Sequence, residues 1–351
     1  MTKRKTIIIN SPRKIHKCDT PIWSSPISPL HPDNQPDKET IIIDKPINTL
    51  SDLIELGNMY DATKNYNIDM EQLSRLVPSL TELNNMIGMN KIKNDMIDHI
   101  LFYIQKLDVH NCMMHTVIEG PPGTGKTEVA KIIGKIYLAL GVLRNDKFIK
   151  ATRTQLIGQY LGQTAPATQK VINSALGGVL FIDEVYSLGN PEKRDSYAKE
   201  CIDTINENLT EKKNDFICII AGYKDDINKC FFAYNKGLER RFPIRFTITE
   251  YTGEELYLIF RKKVSDNLWL LDENIKEDFF IDNYKFFPNY GGSIEILFNK
   301  CQRAHARRVF TSGNKSKLLT LEDLNKGFQV FTMHCSKVID CQDEVWKQMF
   351  L

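Results

Sequence analysis

The sequence has no CxxC pair, no apolar run near the roughly 20 residues needed to cross a bilayer, and almost no net charge. Each absence excludes something. The eight cysteines, at 18, 112, 201, 218, 230, 301, 335 and 341, are scattered along 351 residues, which is the usage of reduced intracellular thiols rather than of a disulfide framework. A formal charge of +2, from 46 basic and 44 acidic residues, leaves no global field to draw the chain onto nucleic acid or a membrane. The first 30 residues carry Lys and Arg without an apolar stretch, so no secretory signal is expected and the location read from the sequence is intracellular, cytoplasmic or nuclear. His110, Cys112 and His115 lie close together, but no second ligand cluster accompanies them and a zinc site is not expected.

Glycine is missing from residues 1–46, which hold seven of the fourteen prolines and carry a local charge of +3 from eight basic and five acidic residues. So proline-rich and apolar-poor a stretch is expected to be a disordered basic arm, over about 1–50. It contains an internal echo: Lys5-Thr6-Ile7-Ile8-Ile9-Asn10-Ser11-Pro12 resembles Glu39-Thr40-Ile41-Ile42-Ile43-Asp44-Lys45-Pro46. Chance in an isoleucine-rich chain explains it as well as a pair of short motifs that add to a partner's sheet edge.

What the chain does have is an ordinary globular composition, 42% hydrophobic and 26% charged, which rules out a rod or a collagen-like chain, and a length that fits two domains. Helical periodicity begins near residue 51. Leu83, Met86, Ile87, Ile92, Met96, Ile97 and Ile100 keep a three-to-four spacing through to Leu107. A short apolar strand, His115–Glu119, follows, then a glycine-rich turn and a helix from about Thr127 to Leu140. Further apolar bursts lie at Val179–Ile182 and Phe216–Ala221, and after Phe242 the pattern turns helical. Strands alternating with helices predict an α/β fold with a parallel sheet covered on both faces.

Gly120-Pro121-Pro122-Gly123-Thr124-Gly125-Lys126-Thr127 fills every fixed position of GxxxxGK[ST], directly after a strand pattern and before a helix pattern. Glycines leave room for backbone N–H groups to point at phosphate oxygens, and the helix N-terminus adds its positive end. Lys126 is placed to neutralise the β- and γ-phosphates, and Thr127 offers a hydroxyl to Mg²⁺. A second element supports the first. Val179-Leu180-Phe181-Ile182 is apolar at every position and ends in Asp183-Glu184, so both acids emerge at the C-terminal sheet edge, where open α/β sheets bind ligands. Asp183 is expected to hold Mg²⁺ and Glu184 to orient or deprotonate the attacking water.

These residues resemble an AAA+ ATPase, a P-loop NTPase with a parallel-sheet core and a C-terminal all-α lid, and most closely the CbxX/CfxQ (CbbX-like) family. The resemblance covers roughly 80–335. It rests on Met86-Ile87-Gly88-Met89, the phosphate loop, Gly158-Gln159-Tyr160-Leu161-Gly162-Gln163-Thr164-Ala165, and Gly177 through Leu188. Ala221-Gly222-Tyr223 and Asn235 through Phe242 complete it. It implies a core over 80–247, a lid over 248–335, a helical linker region over 51–79 and a tail over 336–351.

It also implies roles. Ile87 and Gly88 would pack near adenine. Arg241, with Arg240 as the competing candidate, would be an arginine finger reaching the neighbouring subunit's site, and hence a homo-oligomeric ring, a hexamer by the family pattern. Tyr160-Leu161-Gly162 would be the pore loop that grips a protein client. Tyr223 would fill the sensor 1 slot. Gly292 stands where sensor 2 is usually an Arg, which puts lid coupling in question and points to slow hydrolysis. The lid helix is read from the stripe Ile294, Leu297, Phe298, Cys301 and Ala304, with Arg303, Arg307 and Arg308 as a solvated or inter-subunit face.

The expected function is ATP- and Mg²⁺-dependent hydrolysis by a ring that remodels or partly threads a protein client, without a membrane role. The alternatives are a nucleotide-gated scaffold that hydrolyses little and an AAA+ protein acting on nucleic acid. The uncharged Tyr160-Leu161-Gly162 speaks against the last.

Overall fold

The computed structural model describes residues 40–107, 112–192, 194–235, 237–310 and 316–333. The first copy of the echo, His110, the arm up to residue 39 and the 336–351 tail lie outside them. Five strands form one all-parallel sheet: β1 (Thr116–Glu119), β2 (Phe148–Ala151), β3 (Val179–Ile182), β4 (Ile217–Gly222) and β5 (Ile244–Thr247). Their order is β2-β3-β4-β1-β5. The strand period of two decides what each residue touches. Val179 and Phe181 of β3, with Ile217, Ile219 and Ala221 of β4, join one apolar cluster, while Leu180, Ile182, Cys218 and Ile220 join the other. Both faces are therefore covered, as the unbroken apolar runs of β3 and β4 require.

Two of the five strands, β2 and β5, fall outside the sequence reading. β2 is the edge and carries the exposed Lys150, and β5 carries Arg245, so neither is apolar throughout. The chain thus adds one more strand after Phe242 before it turns helical. The continuous periodicity expected from Leu83 to Leu107 is also interrupted. Helices Met70–Asn84 and Asn90–Ile104 are separated by a turn in which Gly88 and Met89 have φ of +65° and +59°, a left-handed pair that no helix continues through.

Residues 40–50, read from the sequence as part of the arm, have structure of their own. Thr40–Ile41 pairs in parallel with Asn65–Tyr66, Ile43 exchanges hydrogen bonds with the Asn67 amide, and Thr49 with Asp52 forms a capping box on helix Leu50–Asn58. The second copy of the echo is thus used within its own chain. Leu53, Leu73, Leu76 and Leu80 are fully buried in the cluster that also holds Val129 and Ile133, so residues 51–79 share the hydrophobic core of the phosphate-loop helix.

Helices Gly253–Asp266 and Tyr290–Val309 pack together after β5, with Phe260, Phe280, Phe287 and Phe298 between the helices. The stripe on the long helix ends on buried His305, whereas Ala304 is only half-buried. Arg308 is not a solvated charge either. Its guanidinium donates to both carboxylate oxygens of the fully buried Asp323, at 2.9 and 2.8 Å, and so fastens the helix over 321–333 onto Tyr290–Val309. Arg303 and Arg307 remain exposed. Burial alone would raise the Asp323 pKa, but hydrogen bonds from Arg308 and Thr320 outweigh it and hold the carboxyl at about 2, against an ordinary 3.8.

A shift of that size is worth about 2 kcal/mol, present in full above pH ~4 and lost as the pH falls through 2. Denaturant unfolding of Asp323→Asn at pH 7 should show at least that loss. Wild type should converge toward the variant between pH 4 and 2. Equal stability of the two at pH 7 would contradict the lock.

Candidate active site

The phosphate loop leaves the C-terminal end of β1 and closes on itself before helix Lys126–Ala139 begins. Gly123 and Gly125 take φ of +69° and +86°, conformations that cost an L residue roughly 1–2 kcal/mol. The Thr124 hydroxyl donates to the Pro121 carbonyl at 2.8 Å. Lys126 Nζ donates to the carbonyls of Gly120 and Pro121, at 3.0 and 2.6 Å, and stands 5.4 Å from the centre of the Tyr223 ring. Burial pulls its pKa down, opposed by the nearby carboxylates of Asp183 and Glu184. Its ammonium therefore lies at the loop, held by carbonyls that a phosphate would replace as partners.

The acid pair meets the loop directly. Thr127 Oγ1 donates to Asp183 Oδ2 at 3.1 Å, although 56 residues separate them. A hydroxyl and a carboxylate side by side are hard oxygen donors, the set that suits Mg²⁺ when phosphates and water complete the shell. Glu184 donates its N–H to Asp183 Oδ1 and takes φ +48°, ψ +48°, a left-handed backbone that turns the chain out of β3. Since β4 lies between β1 and β3, the residue that follows it, Tyr223, sits between loop and acids. Its ring stacks on Tyr186, centroids 5.5 Å apart. Burial and the charge of Glu184 push both phenols up, Tyr186 to about 12, so both are O–H donors at neutral pH. Together these residues line an open cleft of about 230 Å³ with Pro122, Gly123, Lys126, Thr127, Asp183 and Glu184 in its wall.

The lid seats on the loop through backbone. Gly291 N–H donates to the Gly123 carbonyl at 3.1 Å, and a Cβ on Gly123 would stand 1.9 Å from the Asn289 carbonyl oxygen. Tyr251 adds a hydrogen bond from its hydroxyl to the Thr124 carbonyl, at 3.1 Å. Gly292, by contrast, has room: the nearest atom to a Cβ there is 3.8 Å away. On the opposite side, the Ile87–Gly88 turn brings the methyls of Met86 and Met89 to 3.6 and 3.5 Å from the Cβ position of Gly125, while Ile87 itself is half-buried.

The remaining candidates lie away from the cleft. Tyr160 and Leu161 are 68% and 82% exposed, so they stand in solvent rather than capping a helix against the core, and Gly162 has φ +78° with nothing within 4 Å of its Cβ position. Arg241, on the turn Glu239–Arg241, donates to the Thr210 hydroxyl and the Gly237 carbonyl, while Arg240 is exposed. Arg245 bridges the same turn to β1, binding Glu239 at 2.9 Å and buried Glu119 at 3.0 Å. His115 is spent in the core. It accepts from the Cys218 N–H, faces the Leu209 carbonyl, and burial lowers its pKa to about 4. No group of three His, Cys, Asp or Glu among the described residues is placed to hold a metal.

Sequence reasoning missed three side chains here. Tyr186 and Tyr251 were legible only as aromatics near a motif. Lys150 was hidden in an unrecognised strand, and its Nζ donates to Asp183 Oδ2 at 2.9 Å.

The lid contact yields a clean comparison. Gly123→Ala and Gly141→Ala both force an L residue into a left-handed conformation, but a Cβ on Gly141 meets nothing within 4 Å. Gly141→Ala should lose roughly 1–2 kcal/mol of stability from backbone conformation alone, and Gly123→Ala more than that, because its Cβ also meets the Asn289 carbonyl. Only Gly123→Ala should also weaken adenine-nucleotide binding, by tenfold or more in a fluorescence titration. Equal affinities would mean that the loop and the lid do not need this close approach.

Comparison with known proteins agrees with this geometry. The model of the ATPase family associated with various cellular activities (AAA) matches residues 116–249, from β1 to just past β5. A cfxQ-like protein of Acanthamoeba polyphaga mimivirus is 45% identical over 294 residues, covering 81% of this chain and 72% of that protein. The chloroplastic ribulose bisphosphate carboxylase/oxygenase activase of Cyanidioschyzon merolae is 30% identical over 292 residues, covering 80% and 91%. Among solved structures, the FIGL-1 AAA domain in complex with ADP has the same fold, with a TM-score of 0.51 at 16% identity over 70% of this chain and 83% of that one. Phosphate loop, acid pair, sheet order and relatives converge: the chain is an ATPase that belongs to the CbxX/CfxQ family of AAA proteins.

Proposed function

We propose that the chain works as a ring of identical subunits, a hexamer, that hydrolyses ATP with Mg²⁺ in this cleft and uses the cycle to remodel or partly thread a protein client. The observation that carries the reading is the 3.1 Å contact between Thr127 and Asp183, which joins the phosphate loop to the acid pair. On this reading 80–247 is the catalytic core and 248–335 the lid, with 51–79 as its buttress. Backbone N–H groups of Gly123–Thr127 receive the phosphates, and Lys126 exchanges its loop carbonyls for β- and γ-oxygens. The Ile87–Gly88 turn forms the adenine side.

Thr127 and Asp183 would hold Mg²⁺, which supplies charge neutralisation across the phosphates. Glu184 takes the proton of the water that attacks the γ-phosphorus as the bond to the bridging oxygen breaks. The Tyr223 hydroxyl, protonated and between loop and acids, orients that water. Arg241 from the neighbouring subunit stabilises the charge on the transferring phosphoryl group. The exposed Tyr160-Leu161-Gly162 contacts the client, with an aromatic ring that grips polypeptide without side-chain selectivity.

A second reading, a nucleotide-gated scaffold with slow turnover, is favoured by Gly292: the lid meets the loop through backbone, without a cation on that helix turn. No helix among the described residues is long and apolar enough to cross a membrane.

Glu184→Gln should retain ATP binding and lose about 10²-fold or more in kcat, the usual worth of a positioned base. Turnover within a few-fold of wild type would remove Glu184 from its role. Arg241→Ala should lose about 10³-fold in kcat with nucleotide affinity little changed. Rings mixed from Arg241→Ala and Glu184→Gln subunits should regain turnover, because an intact Glu184 then meets an intact Arg241 across an interface. No recovery on mixing, or a comparable loss in Arg240→Ala alone, would reassign the finger.

A further inference from the structure

Asp183 is fully engaged before any nucleotide arrives. Its Oδ1 accepts from the Glu184 N–H, and its Oδ2 accepts from both the Thr127 hydroxyl, at 3.1 Å, and the Lys150 ammonium, at 2.9 Å. A cation thus already sits on the carboxylate oxygen beside Thr127, where the metal donor set lies. Lys150 reaches it from the edge strand. It pairs with Phe181 in the register of β2 and β3, and its ammonium lies 5.8 Å from the centre of the Phe181 ring. Strand period two puts Asp183 on the same face as Phe181, one step further along, within reach of the lysine stem.

The strand that carries Lys150 also leads to the Tyr160 loop. Three residues on, Arg153 opens helix Arg153–Leu156 and grips the chain that follows the acid pair. Its guanidinium donates to the carbonyls of Ser187 and Leu188, both at 2.6 Å, and to Asp195 at 2.7 Å. The chain from 148 to the loop at 160–162 is therefore pinned by two cationic grips. Arg153 holds carbonyls and a carboxylate outside the cleft. Lys150 holds an atom that a bound metal would claim.

We propose that Lys150 is a positioning residue: its ammonium stands in for the metal on Asp183, and its displacement on Mg²⁺–nucleotide loading releases the side-chain tie at the end of β2, with the β2–β3 pairing intact, and re-aims the Tyr160–Gly162 loop about the Arg153 anchor. The proposal rests on the reading of Asp183 as the metal carboxylate. It gives the cleft a direct mechanical link to the loop, through one ion pair and ten residues of chain. Both partners are partly exposed, 48% and 24%, so the pair is weak enough to be exchanged within a cycle.

The test uses the full chain, a fluorescent ATP analogue titrated at stepped free Mg²⁺, and hydrogen exchange of residues 156–163 with and without Mg²⁺ and a non-hydrolysable ATP analogue. In wild type, loop exchange should rise on loading. Lys150→Met should reach half-maximal binding at about fivefold less free Mg²⁺, which corresponds to about 1 kcal/mol, and its loop should exchange at the loaded rate before nucleotide is added. Lys150→Arg, which keeps the charge, should restore the Mg²⁺ requirement and the slow exchange.

An unchanged Mg²⁺ half-point in Lys150→Met, or loop exchange that ignores the substitution, would overturn the proposal while leaving Asp183 in its role. Nucleotide binding by wild type that shows no Mg²⁺ dependence would overturn both.

Discussion

The contact on which the structure turns is a single hydrogen bond, from the Thr127 hydroxyl to the Asp183 carboxylate. It is possible only because β4 intervenes between β1 and β3, so that the loop leaving one strand and the acids leaving the other face each other across a gap one strand wide. Everything else in the cleft is arranged around that gap. Tyr223 fills its floor, Lys126 spans it from the loop side, and Glu184, turned by its left-handed backbone, stands on the far rim. The sheet is buried on both faces, so these polar groups emerge at the one edge where the backbone runs out of strand partners.

From this edge, charged side chains lead outward in two directions. Arg245 ties β1, the strand that feeds the phosphate loop, to the turn that bears Arg240 and Arg241. Lys150 ties Asp183, and Arg153 the segment after the acid pair, to the chain that bears Tyr160. A guanidinium suits such work, since its fixed fork engages two acceptors at once and loses little freedom in doing so. The lid is joined differently, by glycine backbones in close approach and the Tyr251 hydroxyl. A contact made of main chain depends on fit rather than on charge, and it leaves the space beside Gly292 free.

How much of this was legible in the sequence followed from burial. β3 and β4 are apolar throughout, and β1, though it begins with Thr116 and ends with Glu119, runs straight into the phosphate loop, so these three could be placed from pattern and motif. β2 and β5 could not, because a charge interrupts each short apolar run in mid-strand: Lys150 answers to Asp183, and Arg245 to Glu119. The same holds in the lid, where Arg308 read as a surface charge until its partner Asp323 came into view. The break at Gly88–Met89 was partly visible: a glycine and a gap of five from Ile87 to Ile92 allow a helix-to-helix turn there, and the left-handed backbone of both residues fixes it.

The claim at the centre is that an adenine nucleotide is held by main-chain amides and Lys126 against the Asp183 rim. Isothermal titration calorimetry of the folded chain with ADP or ATP in the presence of Mg²⁺ addresses it most directly. The account requires saturable heat from one site per chain, and its loss in Lys126→Ala with the fold intact by circular dichroism. Folded wild-type protein that takes up neither nucleotide, or a Lys126→Ala variant that binds as wild type does, would contradict it.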